Sequence, residues 1–234
     1  MANILIVSGS YFPNATANTA VVREFEKELI KHGHSVCYAI ERHDIFTPKQ
    51  TEQNGIQVYH TDRGIDLFYK TCENLKTVNM PQPLKFMFKT GLVFIKSVLN
   101  LYAKIFYGSQ RAFSEKCYLK EYANTIKKIV DKKDIDTVIS VSVPFLSHKA
   151  VLKYLNLTTD KKIKWITYMI DSYSQKPNAD NKSLKIKEEL EIIEKSDLTI
   201  FLSTLKKEYS KEPFAKYISK IRFLDLNVYH HYSE

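Results

Sequence analysis

The chain has 234 residues, 44% hydrophobic and 26% charged, and its 35 basic against 26 acidic side chains give a formal charge of +9. This is the composition of a soluble globular chain with room for one large α/β domain or two small ones, and six glycines and seven prolines exclude a low-complexity protein. Cys37, Cys72 and Cys117 lie far apart with no CxxC pair, which argues against a disulfide framework and a zinc site and fits a reducing compartment.

At the N-terminus, "MANILIVSGSYFP" has an apolar run shorter than a signal h-region and no basic n-region, so no signal peptide is expected. "NILIVS" reads instead as a buried strand, followed by the polar loop "GSYFPNATAN". In "VVREFEKELIKHGHSV", Val22, Phe25 and Leu29 stand at helical spacing, and Gly33 falls where a left-handed C-cap belongs. Strand, loop, helix and strand open a βαβ unit, which puts the first loop at the carboxyl end of the first parallel strand. Further apolar runs of strand length lie at 35–41, 56–60, 136–142, 164–169, 198–203 and 221–226. Helical patterns fall at about 18–32, 84–108, 114–133, 145–156, 182–196 and 205–219, and "TPKQTEQNG" and "SQKPNADNKS" read as polar loops. Several strand runs are continuous rather than alternating, as in parallel strands covered on both faces. The expectation is a single α/β, Rossmann-like, doubly wound domain with a mostly parallel sheet of about seven strands.

The segment 84–108, "LKFMFKTGLVFIKSVLNLYAKIFYG", is far more apolar than a solvent-facing helix, yet lysines interrupt it at 85, 89, 96 and 104. No uncharged stretch approaches the roughly 20 residues of a spanning helix. Spacings of four and eleven bring Lys85, Lys89 and Lys96 onto one face. Two readings stand: a basic amphipathic helix lying on an anionic bilayer, with these lysines as membrane contacts, or a helix packed on the sheet whose lysine stems cover apolar surface.

No Walker loop, GxGxxG, HExxH, GxSxG or EF-hand pattern occurs. The first loop lacks the three spaced glycines of a dinucleotide site. Small residues at 15–18 still allow close approach of a ligand, and the helix behind them offers free N–H groups; the plain alternative is an ordinary βα connection. Three later strand ends are also polar. "SVSVPFLSH" carries Ser140, Ser142, Ser147 and His148, "YMIDSYSQ" ends on Asp171 and Ser172, and "FLSTLKKEYS" ends on Ser203 and Thr204. Four polar ends on one sheet edge describe a shared cleft. Taken singly, Ser203 or Thr204 also reads as a helix N-cap and His148 as a helix-surface histidine. Asp171 ends a buried apolar strand, where a carboxylate needs a donor, metal or water. His230 and His231 lie in a tail expected to fray.

With these units placed, "ILIVSGSYFPNATANTAVVREFEKELIKHGHSV" resembles the opening of the N-terminal domain of GT-B glycosyltransferases of the family-4 type: an apolar strand, a Tyr/Pro loop, an amphipathic helix and the ending L-x-x-x-G-H-x-V, here Leu29 to Val36. "IDTVISVSVPFLSHKAVLKYL" is similar to the group's middle strand and proline turn. "KWITYMIDSYS" is similar to its strand ending in Asp-Pro-Trp or Asp-Pro-Tyr, with Asp171 and Tyr173 matching and Ser172 in place of proline. "SDLTIFLST" and "IRFLDLNV" resemble its last two strands. The first loop departs from the pattern, with Ala15 to Asn18 where many members carry Gly-Gly.

The resemblance implies that 1–220 form the Rossmann-like acceptor-side domain and that 221–234 form its last strand and the start of a linker to a C-terminal GT-B domain of the same polypeptide. It also implies that the nucleotide-sugar donor binds mainly to that second domain, with no metal or cofactor held by this one, so that this chain alone is inactive. The acceptor class is a polysaccharide, a glycolipid or a lipid-linked sugar, and the location cytoplasmic, with peripheral attachment to the inner face of the plasma membrane as an extension. Asp171 and His148 are the expected catalytic residues, and Ser10, Tyr11, Asn14, Asn18, Ser142 and Thr204 the expected substrate contacts. The rival readings are a non-catalytic Rossmann-like module for a phosphosugar or nucleotide, and a nucleic-acid binder. Against the latter, the basic residues are spread over many helices and no nucleic-acid-binding motif occurs, so no nucleic-acid partner is expected.

Overall fold

The computed structural model describes residues 1–9, 17–42, 47–62, 81–142, 145–158, 163–175 and 181–225. These residues build one sheet flanked by helices. The strands are β1 (Asn3–Val7), β2 (Ser35–Glu41), β3 (Gln50–Gln53), β4 (Ile56–Thr61), β5 (Thr137–Val141), β6 (Lys164–Met169), β7 (Leu198–Leu202) and β8 (Ile221–Leu224). The helices are α1 (Ala17–Lys31), α2 (Gln82–Tyr107), α3 (Gln110–Lys133), α4 (Leu146–Leu157), α5 (Lys182–Lys195) and the short α6 (Lys206–Tyr209).

The strand order is β3-β4-β2-β1-β5-β6-β7-β8, and every pairing is parallel except β3 with β4. The expected Rossmann-like α/β sheet is therefore present, with eight strands rather than seven. The extra strand falls in "TPKQTEQNG", read from sequence as a loop. Asn54 and Gly55 adopt positive φ of 53° and 77°, the geometry of a tight hairpin turn, and fold Gln50–Gln53 back on β4. Polar strand composition is tolerated there because β3 is an edge.

Burial on both faces explains the continuous apolar strands. Leu5, Val7, Cys37, Ala39, Val138 and Trp165 pack with residues of α3, α4 and α5, among them Tyr122, Ile126, Val151 and Ile193. Alternate residues Ile4, Ile6, Tyr38, Ile40, Val58 and Ile139 face the other way and pack with Val22, Phe25 and Leu29 of α1. The crossover from β1 to β2 thus covers one face and the crossover from β5 to β6 the opposite face. Neighbouring strands β1 and β5 send their chains apart at their carboxyl ends, which is the topological switch point of a doubly wound sheet.

Helix ends follow local chemistry. Gly33 sits at φ 79° and donates to the Ile30 carbonyl (2.9 Å), and the next N–H, from His34, donates to Leu29 (3.0 Å), which is a Schellman ending. Gly108, at φ 74°, ends α2, and the Ser109 side chain accepts from the Ala112 N–H to cap α3, which starts earlier than the apolar periodicity indicates. The helix expected over 205–219 is broken into α6 and 3-10 turns at Ser203–Leu205 and Ala215–Lys220, because Pro213 supplies no N–H for a continuous ladder. Among the described residues no helix is long and apolar enough to cross a membrane.

A Cβ at Gly33 meets nothing within 4 Å, so its requirement for glycine comes from the backbone alone. Gly33→Ala is expected to destabilise the fold by roughly 1–2 kcal/mol, read as a shift in the denaturant midpoint with an unchanged slope.

Candidate functional site

At the carboxyl edge of the sheet, beside the switch point, lies a cavity of about 650 Å³. Glu41, the last residue of β2, forms part of its floor. One face of α3 contributes Arg111, Ser114, Glu115 and Tyr118, at the three- and four-residue spacings of a single helical side. Phe145, Leu146 and Lys149 come from the start of α4, and Tyr173 from the loop after β6.

The walls are held by buried polar contacts. Tyr118 donates to the Glu41 carboxylate (2.9 Å). The Tyr122 hydroxyl, fully buried one turn further along α3, lies 2.6 Å from the Ser8 carbonyl and 2.7 Å from that of Ala39, so α3 grips the ends of β1 and β2 together. Lys149 donates to Glu115 of α3 (2.7 Å) and Glu188 of α5 (2.8 Å). Burial alone would lower the pKa of this ammonium, but the bonds to Glu115 and Glu188 outweigh it and hold the value above that of an ordinary lysine. The other Glu188 oxygen accepts from Tyr173 (2.8 Å), whose ring lies parallel to Phe145 at 3.7 Å.

Behind Tyr173 sits Glu189 of α5, completely buried. It accepts from the hydroxyls of Ser174 and Tyr209, the latter at 2.6 Å. Burial raises its pKa against the lowering pull of those hydroxyls and of the Tyr173 and Ser174 backbone N–H groups. One buried carboxylate therefore anchors the loop after β6 to α5 and α6.

The expected site residues divide into groups. Ser10, Tyr11 and Asn14 lie outside the described residues, as does the side chain of Asn18, although its backbone belongs to the first turn of α1. Asp171 stands two residues after β6 on the cavity's edge of the sheet and is exposed, so it is not a carboxylate enclosed at the end of a buried strand. Thr204 is exposed after β7 and makes no cap, and Ser203 donates to Asp225 instead, so the N-cap reading of this pair does not hold. Ser142 is buried, and its Oγ accepts from the Ile170 N–H (2.7 Å), tying the end of β5 to that of β6 rather than facing the cavity.

His148 is fully buried, not on a helix surface. Its Nδ1 lies 2.7 Å from Ser140 Oγ, which accepts from the Trp165 indole N–H (2.9 Å), and its ring packs edge-to-face with that of Phe145, which lines the cavity. Desolvation lowers its pKa to about 3, so the ring is neutral. His148 thus shapes the cavity wall from behind. Residues missed in the sequence are Glu41, Arg111, Tyr118, Lys149 and Tyr173 as a lining set. The signal for Glu41 was present, a carboxylate ending an apolar strand. Among the described residues no group of three or more His, Cys, Asp or Glu is placed to hold a metal ion.

No protein-family model matches the sequence, and no curated protein matches it. Solved structures do match. Sucrose-phosphate synthase from Thermosynechococcus elongatus superposes with a TM-score of 0.60 at 13% identity over 96% of this chain and 48% of that one. A second structure of that synthase gives 0.55 at 12% identity, covering 96% of this chain and 88% of that one. The α,α-trehalose-phosphate synthase (UDP-forming) from Burkholderia xenovorans, in complex with glucose-6-phosphate, gives 0.51 at 14% identity over 92% and 42%. The fold is accordingly that of GT-B glycosyltransferase domains, and the chain spans about half the length of the first of these synthases.

Two pH effects follow from the buried groups. Between the ordinary carboxylate value and the raised one of Glu189, the folded protein keeps a proton that the unfolded chain has released, so this residue's contribution to stability falls as pH rises through that window. Glu189→Gln is expected to flatten that slope in denaturant titrations at stepped pH. His148 acts oppositely: its contribution is lost as pH falls from the ordinary histidine value of 6.5 toward about 3, and its imidazole resonances are expected to stay those of the neutral ring at pH 5.

Proposed function

We propose that this chain is the acceptor-side domain of a family-4-type, nucleotide-sugar-dependent glycosyltransferase, working with a C-terminal GT-B domain of the same polypeptide that binds the donor. The carrying observation is the cavity at the carboxyl edge beside the β1/β5 switch point, where a Rossmann-like sheet receives ligands. Its lining combines features that suit a sugar. The aromatic faces of Tyr118, Phe145 and Tyr173 offer surface for ring C–H groups, and the carboxylates of Glu41 and Glu115 are acceptors for hydroxyls. Arg111 adds positive charge on the same wall, which suits a phosphorylated sugar such as the glucose-6-phosphate of the trehalose-phosphate synthase complex.

In this reading Asp171, exposed after β6, and Thr204, exposed after β7, meet the substrate, and Ser10, Tyr11, Asn14 and Asn18 of the first loop are further substrate contacts. The aromatic stack and the Lys149 ion-pair chain orient the wall. The chain binds an acceptor sugar and, without the donor-binding domain, turns over no nucleotide sugar.

Saturation-transfer NMR of the 234-residue chain against a panel of hexoses and hexose phosphates tests this. At least one is expected to bind, with affinity lowered roughly five- to tenfold by Tyr173→Ala and tenfold or more by Glu41→Gln. Absence of any sugar binding, or binding indifferent to both substitutions, would remove the cavity from the acceptor role.

A further inference from the structure

Helix α2 carries an apolar surface far beyond what its packing needs. It rests principally on α3, with Ala103 buried, Leu92 and Leu99 half-buried, and Tyr102 and Tyr107 clustered around Phe113 at the corner. Elsewhere Phe86, Met87, Val93, Phe94, Val98, Leu101, Ile105 and Phe106 are each at least half exposed. At about 100° per residue, Lys89 and Lys96 fall within about 20° of each other, and Met87, Phe94, Val98, Leu101 and Ile105 lie about 140–200° round the helix from Lys96. The segment Gln82–Tyr107 holds lysines at 85, 89, 96 and 104 and no acidic residue. Lys89, Lys96 and Lys104 are exposed, and the side chain of Lys85 lies outside the described residues.

We propose that α2 is a monotopic membrane-binding helix that docks the domain on an anionic lipid bilayer. Its apolar arc enters the acyl boundary, while the basic arc, on the opposite side and flanking the contact with α3, stays at the headgroups. Two features select this occupant. The first is charge, since a helix of this length with only positive side chains complements a negative surface. The second is the width of the apolar arc. A second copy joined by a two-helix seam would cover the stripe of Met87, Phe94, Val98, Leu101 and Ile105 and leave Phe86, Val93, Ile95 and Phe106 in water. A bilayer takes the whole arc. The inference is independent of what the cavity binds.

Co-sedimentation of the 234-residue chain with phosphatidylcholine vesicles, with and without phosphatidylglycerol, tests it. Binding is expected to the anionic vesicles at low salt and to weaken at high salt. Lys89→Gln, Lys96→Gln and Lys104→Gln are expected to lower affinity by about fivefold per lysine. Phe94→Glu combined with Leu101→Glu, both exposed, is expected to abolish binding while circular dichroism stays unchanged. No binding to anionic vesicles at low salt overturns the proposal, as does binding indifferent to lipid charge. Conversion of a dimer to a monomer by Phe94→Glu with Leu101→Glu, without vesicle binding in the parent chain, would assign the face to a second copy.

Discussion

The parallel pairing of β1 between β2 and β5 is the constraint from which the rest follows. A strand buried on both faces requires helices on both, and the chain leaves β1 across one face and β5 across the other. Two adjacent strand ends whose chains depart in opposite directions cannot be closed over by their own connections. A crevice remains there, and the backbone groups at its floor need partners. Tyr122, reaching the Ser8 and Ala39 carbonyls from α3, supplies one and in doing so fixes where α3 stands over the cavity.

Around that crevice the structure spends buried charge on position. Lys149 is shared by Glu115 and Glu188, Glu188 by Lys149 and Tyr173, and Glu189 by Ser174 and Tyr209. Each half-buried or buried ion is satisfied by groups from a different element, so α3, α4, α5 and the loop after β6 are registered to one another by directional bonds rather than by apolar contact alone. Removing one member leaves its partner buried and uncompensated, which links the shape of the cavity wall to the ionisation of groups that do not touch its contents.

Helix α2 stands apart from this economy. It leaves the compact body through a contact with α3 and presents apolar side chains where the other helices present charge. Among the described residues no element covers that surface, and an exposed apolar area of this extent marks an interaction site.

The sequence by itself determined most of the elements. Continuous apolar runs announced parallel strands covered twice, the Leu29–Gly33 spacing ended α1, and the lysine spacing of 84–108 placed the basic arc. It also contains the Asn54–Gly55 hairpin signal, which polar flanking residues obscure, as an edge strand allows. What only the tertiary structure decided is which polar residue sits in solvent and which is enclosed. Asp171 and Glu189 are both acidic and near apolar segments, yet one is exposed and the other sealed beneath Ser174 and Tyr209. His148 and Lys149 are adjacent, yet one is buried against Ser140 while the other reaches the cavity. Burial is set by neighbours that the fold brings in from other elements, and periodicity along a single segment carries no record of them.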